Sequence, residues 1–169
     1  MTPVTAPDDS LRAALAEVYL HRAQPEQALA LLDPAPTNSR AYLLWGQAKL
    51  QLGDHEEAET LLKTAAFLGQ SQAYYYLGQL FEQQSRLQEA QEAYQRGFFP
   101  RTTSENVEVT IYGRRAGNDL IPQMVRIGLN PAATASWLAL ARLYENEQRF
   151  GEARQVYQLL LAEDPFLTV

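Results

Sequence analysis

The sequence predicts an all-α fold, a solenoid of about five helical hairpins stacked side by side, with the fourth degenerate. One segment predicts the hairpin, and its recurrence along the chain predicts the stack. Composition sets the bounds: 169 residues, 46% of them apolar, suffice for one core.

The hairpin is clearest in "SWLALARLYENEQRFGEARQVYQLLLAEDP", residues 136–165. Trp137, Leu140, Ala141 and Tyr144 fall at i, i+3, i+4 and i+7, one face of a helix. Phe150, Ala153, Tyr157 and Leu160 mark a second such face. The polar "ENEQRFGE" between them, with Gly151, suits a turn or a frayed helix start. Asp164-Pro165 ends the second helix, because proline pushes its predecessor out of the α region. Two short antiparallel helices cannot bury both apolar faces alone, so the hairpin needs neighbours.

Upstream copies supply them. Tyr42, Trp45, Gly46 and Lys49 form a first face, with Ala58, Leu62 and Ala65 as the second. Tyr74, Leu77, Gly78 and Phe81 repeat it, followed by Leu87, Ala90, Tyr94 and Gly97. Arg12, Leu15, Ala16 and Tyr19, then Ala28 and Leu32, are a weaker copy closed by Asp33-Pro34. The second-helix alanines stand at 28, 58, 90 and 153, and the last step is close to double the others. A further unit is therefore expected between 90 and 153. Glycine or alanine is expected where the two helices of a hairpin meet, with Gly46, Gly78 and Ala141 against Ala58, Ala90 and Ala153. Asp54 with Glu57, and Ser85 with Gln88, have the spacing of a capping box. The acids of "DHEE" are thus read as helix-terminus residues rather than as a catalytic or metal cluster.

Period and pattern together resemble the tetratricopeptide repeat family, whose units are helix–turn–helix of about 34 residues with W-x2-L-G-x2-Y, A-x3-F and a closing proline. The last unit carries Trp137, Leu140, Ala141 in place of glycine, Tyr144, Ala153, Tyr157 and Pro165; the second and third keep the glycine as Gly46 and Gly78. The resemblance covers about residues 9–167, in units of about 9–38, 39–70, 71–102, 103–133 and 134–167, after a disordered lead-in at 1–8.

Residues 98–133 fit poorly, and two readings stand. In one, "ENVEVTIYGRRAG" and "DLIPQMVRIGL" are the helices of a fourth unit closed by Pro131, with Pro122 tolerated in a first turn. In the other, Val107, Val109 and Ile111 alternate with polar residues as a strand does, and "GRRAGN" is a loop. This stretch is also basic: residues 96–126 carry Arg96, Arg101, Arg114, Arg115 and Arg126 against three acids, in a chain of net charge −6. Arg101, Arg114 and Arg115 form a candidate patch for an acidic peptide or phosphate. The plainer alternative is arginines that pair locally or lie solvated.

No enzyme is expected. His21 and His55 lack partners at metal-ligand spacing, and there is no cysteine. There is no phosphate-binding glycine loop and no G-x-S-x-G elbow. No cofactor is implied. The negative charge argues against nucleic acid. The chain lacks both a signal-peptide pattern and an apolar run near the ~18 residues that span a bilayer, so a cytoplasmic protein without membrane insertion is expected.

The resemblance implies a right-handed superhelix whose first helices line a concave groove. Its groove positions correspond to Arg40, Leu43, Gln47, Leu50 and Gln51 in the second unit and to Gln72, Tyr75, Gln79, Glu82 and Gln83 in the third. In the fifth they are Ala135, Leu138, Arg142, Glu145 and Asn146. The family's Lys and Asn clamp for a terminal carboxylate is missing from these positions. The groove is expected to be neutral and amide-rich, with Tyr75 as the only tyrosine of "AYYYL" facing it, and to hold a peptide or helix of another protein. The alternative is a self-associating scaffold, a homodimer through a C-terminal face with Val156, Leu159 and Phe166 exposed.

Overall fold

The computed structural model describes residues 9–33, 38–98, 114–116, 119–121 and 131–163. The lead-in at 1–8, Val107 to Ile111, and Phe166 lie outside them. Four helical hairpins are present among the described residues: α1 (Asp9–His21) with α2 (Pro25–Leu32), α3 (Ser39–Leu52) with α4 (His55–Phe67), α5 (Gln72–Gln83) with α6 (Leu87–Phe98), and α7 (Pro131–Asn146) with α8 (Phe150–Glu163). Each hairpin packs on the next through its second helix, and the first helices also touch, α1 on α3, α3 on α5 and α5 on α7.

All four hairpins turn in the same way. Ala23, Gly53, Ser85 and Gln148 occupy equivalent positions with φ of 54°, 79°, 59° and 61°. The amide that follows each reaches back five residues: Gln24 to Tyr19, Asp54 to Lys49, Arg86 to Phe81 and Arg149 to Tyr144, at 2.8–3.0 Å. This is the Schellman closure, which satisfies carbonyls left open at a helix end. Only the second hairpin uses glycine there, so the other three carry the left-handed backbone on residues with a Cβ. Gly151 is the second residue of α8, at the helix start rather than in the turn, and Gln148 makes the turn. The capping boxes do not form either. Asp54 makes no side-chain cap hydrogen bond, since its carboxylate and that of Glu57 both go to Lys49 Nζ, at 3.2 and 2.6 Å. Ser85 sits in the turn rather than at the cap of α6.

The core forms two clusters, one of the first hairpin with Leu44 and Ala48 of α3, the other running from α3 to α8. Leu62, Leu80, Tyr94 and Leu160 are almost completely buried, each aliphatic one contributing roughly 1.5–3 kcal/mol. The small residues of the first helices have a different partner from the one expected. A Cβ on Gly46 would stand 2.7 Å from Leu62 Cγ, and one on Gly78 2.3 Å from Tyr94 Cε1. The glycines therefore open space for the large side chain of the opposing helix. In the last hairpin the equivalent small residue is Ala141, and Tyr157, at the position of Tyr94, is only half-buried. Three residues of the expected apolar faces, Leu15, Leu87 and Phe150, are exposed instead.

The fourth unit departs from its helical reading. Arg114–Ala116 (β1) and Asp119–Ile121 (β2) pair antiparallel, with Arg114 opposite Ile121, Arg115 opposite Leu120 and Ala116 opposite Asp119. Helices over "ENVEVTIYGRRAG" and "DLIPQMVRIGL" are therefore excluded at these six residues. The strand expected over Val107 to Ile111 lies outside the described residues, and "RRA", expected in a loop, is itself a strand. Gly-Asn is the only sequence between the strands, a pair suited to a tight hairpin. Pro131 does not close a unit; it opens α7, where its missing N–H costs nothing. Helix α7 packs directly on α5 and α6, so no layer stands between the third hairpin and the last. Gly97 marks that contact: a Cβ there would lie 2.5 Å from Ser136 Oγ.

Candidate functional site

The first helices of the first three hairpins enclose a concave cavity of about 440 Å³. Helix α3 contributes Arg40, Leu43, Gln47, Leu50 and Gln51, and α5 contributes Gln72, Gln79 and Gln83. All eight are groove positions expected from sequence. They meet because helical spacing puts them on one face of each helix, and the stack sets those faces side by side.

The lining of this cavity differs from the expected set in places. Tyr76, not Tyr75, lines the cavity. Tyr75 accepts a hydrogen bond from Gln79 Nε2 at 2.9 Å and meets the Tyr76 ring edge-on at 5.2 Å. Burial raises the Tyr76 phenol above its ordinary value, with the Gln72 amide partly opposing the shift, so it remains neutral. Glu82 does not line the cavity; its carboxylate accepts from Tyr94 Oη at 3.0 Å. Glu145 is likewise engaged with Tyr157. Of the last hairpin, Leu138 is half-buried against the core and Arg142 and Asn146 are exposed, but none reaches this cavity.

Sequence reasoning missed Leu44 and Gln70, which line the cavity, and with them Glu17, Leu20 and His21 of α1. For the α1 residues the signal was present: they stand one 30-residue step before Gln47, Leu50 and Gln51, the step separating Ala28 from Ala58. The weakness of the first copy hid it.

Charge inside the cavity is balanced. Arg40 Nη2 donates to Glu17 Oε2 at 2.7 Å, and Gln51 Nε2 donates to the Leu20 carbonyl at 3.1 Å. Gln47 is the exception. It is 8% exposed and makes no side-chain hydrogen bond to another described residue.

A second hollow, of about 650 Å³, lies on the opposite side between α4 and α6. Tyr74, Leu77 and Phe81 line it, beside Phe67, which is 89% exposed. Of the basic candidates, Arg101 lies outside the described residues, and Arg114 and Arg115 are consecutive residues of β1. Arg96 is exposed and stands 3.7 Å from Glu92. On the C-terminal face, Leu159 is exposed while Val156 is buried. Among the described residues there is no cluster of three metal-ligating side chains, and no helix is long and apolar enough to cross a membrane.

Similar proteins agree with this architecture. A tetratricopeptide repeat family model matches residues 43–100 and 127–167, and the family model of anaphase-promoting complex subunit 3 matches residues 4–65. No curated protein matches. Among solved structures, MamA aligns with a TM-score of 0.63 at 18% identity, over 94% of this chain and 79% of that one. A putative kinesin light chain from Podosopora anserina, with nearly identical TPR-like repeats, aligns at 0.60 and 16%, over 96% and 80%. At such identities the likeness speaks for the fold. The family match spans more than half of the chain and coincides with the second, third and last hairpins, so this chain belongs to the tetratricopeptide repeat family and is a protein–protein interaction module of helical hairpins.

Proposed function

We propose that the chain is a non-enzymatic adaptor or assembly factor that holds a peptide or helix of a partner protein in the concave cavity between α1, α3 and α5. One observation carries this reading: Gln47, with its amide unspent, sits more than nine-tenths buried on the cavity wall. The amide has no partner among the described residues and is not shut off from solvent, so it stays open to a ligand. A protein segment passing along the groove would supply a partner, since every residue of an extended backbone offers a donor and an acceptor.

The test is affinity capture from source lysate with the wild type and with Gln79→Ala/Gln83→Ala, followed by titration of the purified partner. A partner whose affinity falls at least ~10-fold in the double variant supports the groove. Capture unchanged by both substitutions refutes it.

A self-associating scaffold is the second reading, favoured by Leu159 and Leu161, which are 41% and 44% exposed on α8. It requires a mass by light scattering that rises with concentration and returns to the monomer value in Leu159→Glu/Leu161→Glu.

A further inference from the structure

Positions along the first helices can be matched by counting back from the turn residues Ala23, Gly53, Ser85 and Gln148. Leu11 of α1 then stands where α5 has Ala73 and α7 has Ser136. Leu15 answers to Leu77 and Leu140, and Val18 to Leu80 and Leu143. In α5 and α7 all these positions are buried, and the helix that carries them packs on the hairpin before it. In α3 the counterparts of Leu15 and Val18 are Trp45 and Ala48, which pack with the core of the first hairpin. In α1 the same face is open: Leu11 is 53% exposed, Leu15 42% and Val18 46%, with Ala14 exposed among them. An apolar face at i, i+3, i+4 and i+7, matching those that the later hairpins bury, needs a helix against it.

The last hairpin does not offer α1 the seat that α6 offers α7. That seat depends on Gly97, where a Cβ would lie 2.5 Å from Ser136 Oγ. Counting from Ala90 and Ala153, Leu160 takes the place of Gly97 in α8, and it is already buried. A head-to-tail stack of copies would set Leu11 on Leu160, two leucines where the chain itself uses serine and glycine. We propose instead that α1 pairs antiparallel with α1 of a second copy, across a two-fold axis near Ala14 and Leu15. Leu11, Leu15 and Val18 are spaced by four and then three, the spacing of a coiled-coil seam. Centred there, Leu11 of each copy meets Val18 of the other, and the small Ala14 leaves room for Leu15. Charge favours the same direction. Helix α1 starts at Asp9 and ends at His21, with Arg22 next, so antiparallel pairing sets an acidic start beside a basic end, whereas parallel pairing sets like ends together. The seam contains none of the residues that line the cavity and neither Leu159 nor Leu161, so it stands apart from both readings of function. Four side chains per copy fall short of the ~1,200–2,000 Å² of a stable interface, so the pair should be weak and concentration-dependent.

The test is sedimentation equilibrium of the full chain over roughly 1 μM to 1 mM, the range that reports weak association. Wild type should rise with concentration to the mass of two chains and stop there. Leu15→Glu/Val18→Glu, whose fold is checked by its melting curve, should weaken the dimer at least ~10-fold, and Leu159→Glu/Leu161→Glu should leave it unchanged. The chain has no cysteine, so direction can be read by cross-linking. Leu11→Cys and Val18→Cys proteins, one of them tagged, should oxidise to the mixed dimer faster than either does alone. A monomer at every concentration overturns the proposal, as does a dimer undiminished in Leu15→Glu/Val18→Glu. Mass that climbs beyond two chains overturns the two-fold axis in favour of an open stack. A dimer lost in Leu159→Glu/Leu161→Glu overturns it too, and if that variant alone loses the dimer the scaffold reading survives. Leu11→Cys or Val18→Cys cross-linking faster by itself overturns the antiparallel direction.

Discussion

Adding one methyl group to Gly78 should turn the tightest contact of the third hairpin into a clash. A Cβ there would stand 2.3 Å from Tyr94 Cε1 and 2.6 Å from Cδ1 and Cζ, whereas carbon atoms rest at about 3.5–4.0 Å. The ring must retreat by more than about 1 Å, and it has nowhere to go. Tyr94 is fully buried, and its hydroxyl is held by Glu82 at 3.0 Å. Overpacking of this kind costs about 1–3 kcal/mol, and weakening the bond to Glu82 adds to it. Exchanging glycine for alanine inside a helix returns about 1 kcal/mol. Gly78→Ala should therefore destabilise by about 2 kcal/mol, a fall of about 4–8 °C in Tm for a chain of this size. Removing the ring reverses the sign. In a Tyr94→Ala background, itself about 3–5 kcal/mol less stable, Gly78→Ala should stabilise by up to about 1 kcal/mol. Urea unfolding followed by circular dichroism gives all four corners of this cycle, and the coupling should approach about 3 kcal/mol. If Gly78→Ala has the same sign and size in both backgrounds, the glycine is not there for the ring and the reasoning is wrong.

The shared turn leads to a second expectation. Ala23→Gly should stabilise by about 0.5–1 kcal/mol, because the left-handed backbone no longer opposes a Cβ, while Gly53→Ala should destabilise by at least as much; thermal melts of the two variants should move in opposite directions. Arg86, ahead of other causes, holds the Glu59 carboxyl below its ordinary value, and the two pair at 2.8 Å between α4 and the third turn. That contribution is complete above the unfolded carboxylate range near pH 4.3 and is lost as pH falls through the lower folded value, so Tm of Glu59→Gln should converge on wild type in acid. Burial, then the Glu82 charge, raise the Tyr94 phenol far above its usual range. A raised value stabilises the protonated form, so stability should hold below about pH 10 and fall above it, less steeply in Tyr94→Phe; absorbance at 295 nm during alkaline titration follows this directly.

The sequence determined the hairpins, their order and most of the concave wall. Arg40, Leu43, Gln47, Gln51, Gln72, Gln79 and Gln83 were legible because helical spacing assigns each to a face before any partner is known. Glu17 and His21 obey the same register and were lost only in a diverged copy. What tertiary packing decided lies where one helix meets another. Spacing shows that Gly78 is small, but not that Tyr94 fills the space above it, because that depends on how far α6 leans over α5. Periodicity put two tyrosines near the groove, and packing chose Tyr76 for its wall while Gln79 engaged Tyr75. The expected fourth layer was the largest departure. A doubled spacing in the chain measures residues, not layers, and α7 closed directly on α6 because Gly97 and Ser136 let their backbones approach. Local chemistry thus wrote the elements. The distances between them, and with them the unspent amides of the cavity, were set only when the elements packed.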